Sequence, residues 1–187
     1  MNDWLGTILL GVIEGVTEFL PISSTGHLLL VEHLLGLKRP ELFTVGIQSG
    51  ALLAVLLIYG PRLRAMITGE EGRKGKLYLW KIGGAFLVTA VLGLAASKLG
   101  LKLPENPAPV AWALLVGGVL IWGAEWWLRH HQGKEDPGWG VALVIGMSQI
   151  LAAVFPGTSR SGATILAGMF CGLSRTSATD FSFLLGI

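Results

Sequence analysis

Two glutamates that lie four residues apart in an apolar segment are the first candidates for a chemical role. Glu14 and Glu18 are one helical turn apart, so both carboxylates fall on one helix face. Like charges at this spacing repel each other, and each charge is costly at membrane depth. A divalent cation, a neighbouring arginine or a shared proton would resolve the conflict. Carboxylate oxygens suit Mg²⁺ or Ca²⁺, which makes both residues candidate metal ligands. Two solvated glutamates on an external amphipathic helix are the alternative.

A hydroxyl-rich turn follows these glutamates. Residues 21–27 read Pro-Ile-Ser-Ser-Thr-Gly-His and supply three hydroxyls, a flexible glycine and an imidazole. Ser24 and His27 are candidates for a nucleophile and its general base, and His27 is equally a candidate for general acid or nucleophile. The amides at the start of a following helix would favour an anion. In the alternative, Ser23, Ser24 and Thr25 cap that helix, and the two roles are compatible.

A second hydroxyl-rich turn carries an isolated arginine. Residues 156–164 read Pro-Gly-Thr-Ser-Arg-Ser-Gly-Ala-Thr, and Arg160 has no charged neighbour within ten positions on either side. A guanidinium among hydroxyls and glycines, just before a helix, suits bidentate contact with a phosphate. A structural ion pair with Glu14 or Glu18 is the alternative, because buried charges need partners. Both interpretations hold if the pair rearranges when a substrate binds.

The composition indicates that a membrane surrounds these residues. Of 187 residues, 52% are hydrophobic, 14% are charged and 27 are glycine. Soluble proteins carry about 25% charged residues and about 7% glycine, so a soluble domain is excluded. The net charge of +2 comes from scattered basic residues, which argues against nucleic acid as a partner. The sequence therefore predicts an all-α, polytopic integral membrane helical bundle, with residues 1–187 in a single transmembrane domain.

Windows without charge predict the membrane spans. Four of them approach the roughly 20 residues that cross about 30 Å of hydrocarbon: residues 42–59, 82–97, 106–124 and 137–159. Between the first two windows we expect a loop over residues 61–81 that carries six basic residues, namely Arg62, Arg64, Arg73, Lys74, Lys76 and Lys81. The positive-inside rule places this loop in the cytoplasm, so the N-terminus is expected outside.

An internal repeat predicts how the two turns meet. Short half-helices flank the first turn, which predicts a re-entrant hairpin over residues 4–35 in which protein or water satisfies the non-helical backbone. A shift of 135 positions aligns Glu14 with Gln149 and Ser24 with Ser159, and predicts a second hairpin over residues 139–173. Three spans between the copies would make the hairpins enter from opposite faces and meet near the midplane, as in inverted-repeat transporters.

The last residues form a short apolar stretch, 181–187. Seven residues do not span a bilayer. We therefore expect either a fragment or a native polypeptide that continues with the transmembrane helices needed to complete the second repeat.

Two sequence motifs resemble a known family. Residues 14–27 (Glu-Gly-Val-Thr-Glu-Phe-Leu-Pro-Ile-Ser-Ser-Thr-Gly-His) and 155–164 (Phe-Pro-Gly-Thr-Ser-Arg-Ser-Gly-Ala-Thr) closely resemble the signature motifs of the bacterial undecaprenyl-diphosphate phosphatase family of the bacitracin-resistance type. The resemblance implies a multi-pass enzyme of the bacterial plasma (inner) membrane. It would remove the terminal phosphate of undecaprenyl diphosphate, recycling the lipid carrier for peptidoglycan synthesis and conferring bacitracin resistance. It also implies two re-entrant hairpins in an inverted repeat and an active site that faces outward. A homo-oligomer is a separate expectation about partners.

The resemblance also implies residue roles. Glu14 and Glu18 would handle a metal or protons, with Mg²⁺ or Ca²⁺ as the expected cofactor. Ser24 and His27 would be nucleophile or acid–base candidates, and Arg160 would clamp the diphosphate. The phosphate pocket would be lined by Ser23, Thr25, Gly26, Ser159, Ser161, Gly162 and Thr164. A lipid-carrier flippase or a small-anion transporter that uses the same midplane site is the alternative function.

Overall fold

The computed structural model describes residues 3–37, 39–99, 107–129, 133–155 and 157–187. Within these ranges the chain forms eight helices: α1 (Asp3–Glu18), α2 (Ser24–Leu35), α3 (Glu41–Thr68), α4 (Gly72–Lys98), α5 (Pro107–Leu128), α6 (Trp139–Val154), α7 (Arg160–Phe170) and α8 (Arg175–Leu185). The described residues contain no β-strand beyond one isolated bridge, between Lys134 and Leu173. The predicted all-α class is confirmed.

Three helices, α3, α4 and α5, are long and apolar enough to cross a membrane. Only 11% of the most apolar window of each is buried inside the protein, so most of these apolar side chains point outward. Such an apolar outer surface is expected of helices that lie in lipid. The chain is therefore a multi-pass membrane protein. These helices contain the first three predicted windows, apart from Asn106, which lies outside the described residues.

The predicted loop over residues 61–81 is wrong. Helix α3 continues to Thr68 and α4 begins at Gly72, so the connection is a tight turn. The helices continue beyond the apolar windows and include basic residues. Long basic side chains are tolerated there because their stems cover apolar surface while their charged ends reach polar groups. Lys81 shows this inside α4, where its side chain is 5% exposed and its ammonium pairs with Asp136 at 2.9 Å.

The fourth window, residues 137–159, is not one continuous span. Helix α6 ends at Val154 after 16 residues, about 24 Å at 1.5 Å per residue, and α7 starts at Arg160 after a break. Helices α6 and α7 pack against each other, and so do α1 and α2 on either side of the first turn. Broken helix pairs thus lie at both predicted positions. Their re-entrant placement in a membrane and their inverted relation stay predictions.

The core lies where α4, α6, α7 and α8 meet. A Cβ on Gly146 of α6 would lie 2.4 Å from the carbonyl oxygen of Ala85 in α4, so the two backbones are in direct contact. Thr89 Oγ1 lies 2.8 Å from the Gly146 carbonyl oxygen and reinforces this crossing. Close approach at small residues is typical of helix packing in membranes.

Helix α5 supports the breaks in both helix pairs. A Cβ on Gly26 of α2 would lie 3.0 Å from the Leu114 side chain, so this helix packs tightly on α5. At the second break Gly157 has φ +92°, and a Cβ there would lie 2.7 Å from the Val110 carbonyl oxygen. Only glycine combines this positive φ with such a close approach. The two polar turns are therefore held against one helix.

Candidate active site

A cavity of about 670 Å³ lies between the two helix breaks. Seven of the predicted site residues line it: Glu18, Ser23, Ser24, Thr25, Ser159, Arg160 and Ser161. The remaining wall comes mainly from α3, α6 and α8, and includes Val45, Gln48, Leu52, Val55, Ala152, Ala153 and Phe183. A concave site with polar groups on one side and apolar groups on the other suits an amphipathic ligand.

Serine caps start the helix that follows each break. Ser23 Oγ accepts a hydrogen bond from the Gly26 amide at 3.3 Å, and Ser159 Oγ accepts one from the Gly162 amide at 3.0 Å. The sequence alignment paired Ser24 with Ser159, but the caps make Ser23 the structural equivalent of Ser159. Ser24 and Arg160 then occupy equivalent positions as the first residues of α2 and α7. Helix starts of this kind favour anions.

Ser23 adopts a strained backbone conformation. Its φ is +66°, in the left-handed region that costs a non-glycine residue about 1–2 kcal/mol. The Ser23 carbonyl oxygen lies 2.8 Å from His27 Nδ1, and because a carbonyl only accepts, this nitrogen carries the proton. Strained residues held by surrounding contacts concentrate at functional sites.

The Glu18 carboxylate joins the two breaks. Ser24 Oγ donates a hydrogen bond to Glu18 Oε2 at 2.5 Å, while Arg160 Nη2 donates to Glu18 Oε1 at 3.1 Å. The side chains of Arg160 and Glu18 are 37% and 27% exposed, so both remain accessible from the cavity. The arrangement places the Glu18 carboxylate, a base, in contact with both a hydroxyl and a guanidinium, which are groups that phosphoryl transfer uses.

Glu14 is buried next to this array without a partner for its charge. The side chain is 1% exposed, and neither carboxylate oxygen accepts a hydrogen bond from the part of the chain that the structure describes. A buried carboxylate in this state needs a proton or a cation. Within the described ranges, no three His, Cys, Asp or Glu side chains lie close enough together to hold a metal ion by themselves. Two carboxylates, completed by phosphate oxygens and water, still fit Mg²⁺.

The structure does not form the predicted Ser24–His27 pair. The Ser24 hydroxyl bonds to Glu18, whereas His27 Nδ1 bonds to the Ser23 backbone. Sequence spacing could not decide whether the Ser24 hydroxyl bonds to Glu18 or to His27, because both residues are close to Ser24 along the chain. His27 and Glu14 are not among the residues that line the cavity.

Three residues predicted to line the phosphate pocket are instead packed against neighbouring helices or turns. Thr164 is 1% exposed and its hydroxyl lies 2.6 Å from Ser182 Oγ, which joins α7 to α8. A Cβ on Gly162 would lie 3.0 Å from the Pro21 carbonyl oxygen, so this glycine lets the two breaks approach each other. Gly26 packs against Leu114 in α5.

Other polar residues also line the cavity, although they were not among the predicted site residues. Gln48 and Ser49 come from α3, Thr89 from α4 and Gln149 from α6. Gln149 Nε2 donates to Thr89 Oγ1 at 2.9 Å, so this pair supports the α4–α6 crossing. Gln48 interrupts an apolar span, and that interruption was the available signal for a role in the cavity.

Comparisons with known proteins show which family this sequence is similar to. A family model described as bacitracin resistance protein BacA matches residues 7–187. An undecaprenyl-diphosphatase of Rhizobium etli (strain CIAT 652) is 50% identical over 99% of this chain and 70% of its own length. One of Xylella fastidiosa (strain 9a5c) is 48% identical over 100% of this chain and 72% of its own length. One of Xanthomonas euvesicatoria pv. vesicatoria (strain 85-10) is 50% identical over 100% of this chain and 71% of its own length.

The family match covers both helix breaks and every residue of the Ser24–Glu18–Arg160 array. Relatives of about half identity extend over nearly the whole chain and over more than two thirds of their own lengths. The chain therefore belongs to the bacitracin resistance protein BacA family.

Proposed function

We propose that this chain hydrolyses undecaprenyl diphosphate to undecaprenyl phosphate and inorganic phosphate. The observation that carries the proposal is the Glu18 carboxylate, held between the Ser24 hydroxyl and the Arg160 guanidinium in a cavity with one apolar wall. Relatives that match nearly the whole chain are named undecaprenyl-diphosphatase. The reaction recycles the lipid carrier for peptidoglycan synthesis, and the family's description adds bacitracin resistance.

The contacts support a two-step mechanism. Glu18 takes the proton of the Ser24 hydroxyl as Oγ attacks the terminal phosphorus, and the bond from that phosphorus to the bridging oxygen breaks. Undecaprenyl phosphate leaves with the bridging oxygen. Water then attacks the phosphoserine, releases inorganic phosphate and restores the Ser24 hydroxyl. Arg160 and the amides at the two helix starts neutralise charge on the phosphoryl oxygens.

His27 has a supporting role in this mechanism. Its bond to the Ser23 carbonyl holds the strained turn that presents Ser24. Attack by His27, which the sequence left open, would have to come from Nε2, and His27 is not among the residues that line the cavity. The Ser24 route needs no rearrangement, because the hydroxyl and its base are already in contact.

We also propose that Glu14 and Glu18 hold a divalent cation, Mg²⁺ or Ca²⁺, together with the phosphates of the substrate. The unpartnered oxygens of the buried Glu14 carboxylate support this assignment. The cation would act as a Lewis acid that offsets negative charge on the diphosphate.

For location, we propose the bacterial plasma membrane with the cavity accessible from the outside. Exposed basic side chains at the α3–α4 connection, Arg64, Arg73, Lys74 and Lys76, support a cytoplasmic position for that turn. The residues of the proposed centre come from one chain, so a homo-oligomer is not required for the chemistry.

Hydrolysis and transport are separated by one experiment. The purified protein is reconstituted in liposomes that contain undecaprenyl diphosphate, and inorganic phosphate release is measured alongside movement of the lipid between leaflets. We expect phosphate release from the wild-type protein. Lipid movement without phosphate release would favour the flippase alternative and contradict the enzyme.

A further inference from the structure

One face of α3 forms part of the cavity wall. Val45, Gln48, Leu52 and Val55 are spaced by three or four residues, so they share one side of the helix, and all four line the cavity. Three of the four are aliphatic. Gln48 therefore places a carboxamide in an otherwise apolar stripe.

The carboxamide of Gln48 has bonding capacity to spare. It donates one long hydrogen bond, 3.4 Å from Nε2 to Thr25 Oγ1, whereas a carboxamide offers two donors and an accepting oxygen. The neighbouring Ser49 differs, since its hydroxyl donates to the Val45 carbonyl oxygen of its own helix at 2.7 Å. Of these two polar residues, Gln48 is the one positioned to contact a ligand.

Gln48 lies at the boundary between the polar and the apolar parts of the cavity. On one side is Thr25, the residue after the proposed nucleophile Ser24. On the other side are Leu52 and Val55 of α3. A lipid diphosphate with its terminal phosphate at Ser24 and its hydrocarbon on the apolar wall has its second phosphate at this boundary.

We propose that Gln48 binds the phosphate that stays on the lipid, so that it recognises substrate and lipid product alike. The inference rests on the proposed hydrolysis of a lipid diphosphate. Cleavage leaves the bridging oxygen on this phosphate, so negative charge develops there in the transition state, and a donor to it stabilises the transition state as well as the bound lipid product. Removing the donor lowers kcat/KM and weakens binding of the lipid product.

The test uses Gln48→Ala and Gln48→Met, with Ser148→Ala as the control, because Ser148 does not line the cavity and its hydroxyl donates to the Ile145 carbonyl oxygen of its own helix. The measured quantities are KM and kcat for undecaprenyl diphosphate, and the inhibition constants of undecaprenyl phosphate and of inorganic phosphate. Both Gln48 variants should lower kcat/KM, and should raise the inhibition constant of undecaprenyl phosphate by about tenfold, as expected for one hydrogen bond to a charged oxygen. The inhibition constant of inorganic phosphate and the Ser148→Ala values should not change.

Three results would overturn the assignment. One is an unchanged affinity for undecaprenyl phosphate; another is a raised inhibition constant for inorganic phosphate alone, which would place Gln48 at the leaving phosphate. The third is loss of folding in both variants, which would make Gln48 a structural residue. Direct binding of undecaprenyl phosphate needs no turnover. An inactive wild-type protein that binds this lipid through Gln48 would therefore contradict the hydrolase proposal and leave this inference intact.

Discussion

Glu18 and Arg160 lie 142 residues apart in the chain, yet Glu18 Oε1 is 3.1 Å from Arg160 Nη2. The ion pair connects the end of α1 to the start of α7 and so ties together the two broken helix pairs. Ser24, at the position in α2 equivalent to Arg160 in α7, holds the other oxygen of the same carboxylate. A phosphate that enters the cavity must compete with Glu18 for the guanidinium, and we expect the pair to open as substrate binds.

Removal of the proposed nucleophile or its base should stop catalysis. Ser24→Ala and Glu18→Gln are each expected to lower kcat by about 10²- to 10⁴-fold, the usual size of a general-base contribution. Ser148→Ala is the matched control, because the Ser148 hydroxyl donates to the Ile145 carbonyl oxygen within its own helix. Phosphate release is the measurement, and a Ser24→Ala variant within a few-fold of wild type would transfer the nucleophilic role to water or His27.

Chelation tests the proposed cation. Treatment with EDTA should suppress phosphate release, and Mg²⁺ or Ca²⁺ should restore it, because Glu14 and Glu18 supply only part of a coordination shell that substrate oxygens complete. Glu14→Gln should lower the affinity for the restoring cation, measured as the concentration that gives half-maximal rate. Full activity in EDTA would reassign both glutamates to proton transfer or to structure.

The close contact between α4 and α6 predicts a stability effect remote from the chemistry. A methyl group at Gly146 would lie 2.4 Å from the Ala85 carbonyl oxygen, so the helices must separate. Gly146→Ala should destabilise the protein by about 1–3 kcal/mol, as overpacking does, and lower the midpoint of thermal unfolding in detergent. Gly140→Ala in the same helix meets nothing within 4 Å and serves as the control. Equal midpoints for the two variants would refute the close approach.

Loss of Asp136 and loss of Lys81 should lower the stability of the protein by different amounts. The Lys81 side chain is 5% exposed and that of Asp136 is 73% exposed, so loss of Asp136 leaves a buried ammonium without its counter-charge. Asp136→Asn should therefore cost about 1–3 kcal/mol of unfolding free energy, more than Lys81→Met, which removes the buried charge and keeps an apolar stem. Chemical denaturation of both variants checks the order, and a larger loss for Lys81→Met would contradict it.

Much of the fold was predictable from where charges are missing and where glycine, proline and hydroxyl residues cluster. These features identified the three long helices, the two breaks and the Glu18–Arg160 pair, which was the structural alternative for Arg160. Helix ends were less predictable, since Arg62, Arg64 and Lys81 lie within helices despite their charge. Lys and Arg have a favourable helix propensity, so their charge does not by itself end a helix. The contacts of these side chains determine how far the helix continues.

The site was predictable in its composition and less so in its contacts. The sequence predicted Ser24 as a nucleophile or acid–base residue and Thr164 as a residue of the phosphate pocket, but the fold turns Thr164 toward Ser182 and Ser24 toward Glu18. Which neighbour a hydroxyl finds depends on packing between helices, which spacing along the chain does not specify. The positive φ of Ser23 has the same origin, because no residue type in that turn demands it.

Arg160 is the residue on which the proposed hydrolysis most directly depends, and one measurement tests its role. Phosphate release from undecaprenyl diphosphate is compared for wild type, Arg160→Ala and the control Arg175→Ala, whose guanidinium pairs with Glu125 outside the cavity. Wild type and Arg175→Ala should release phosphate at similar rates. Arg160→Ala should be at least 100-fold slower, the usual cost of losing a donor to transition-state charge, while the variant remains folded in detergent. A near-normal rate for folded Arg160→Ala would contradict the assignment of this cavity as the active site.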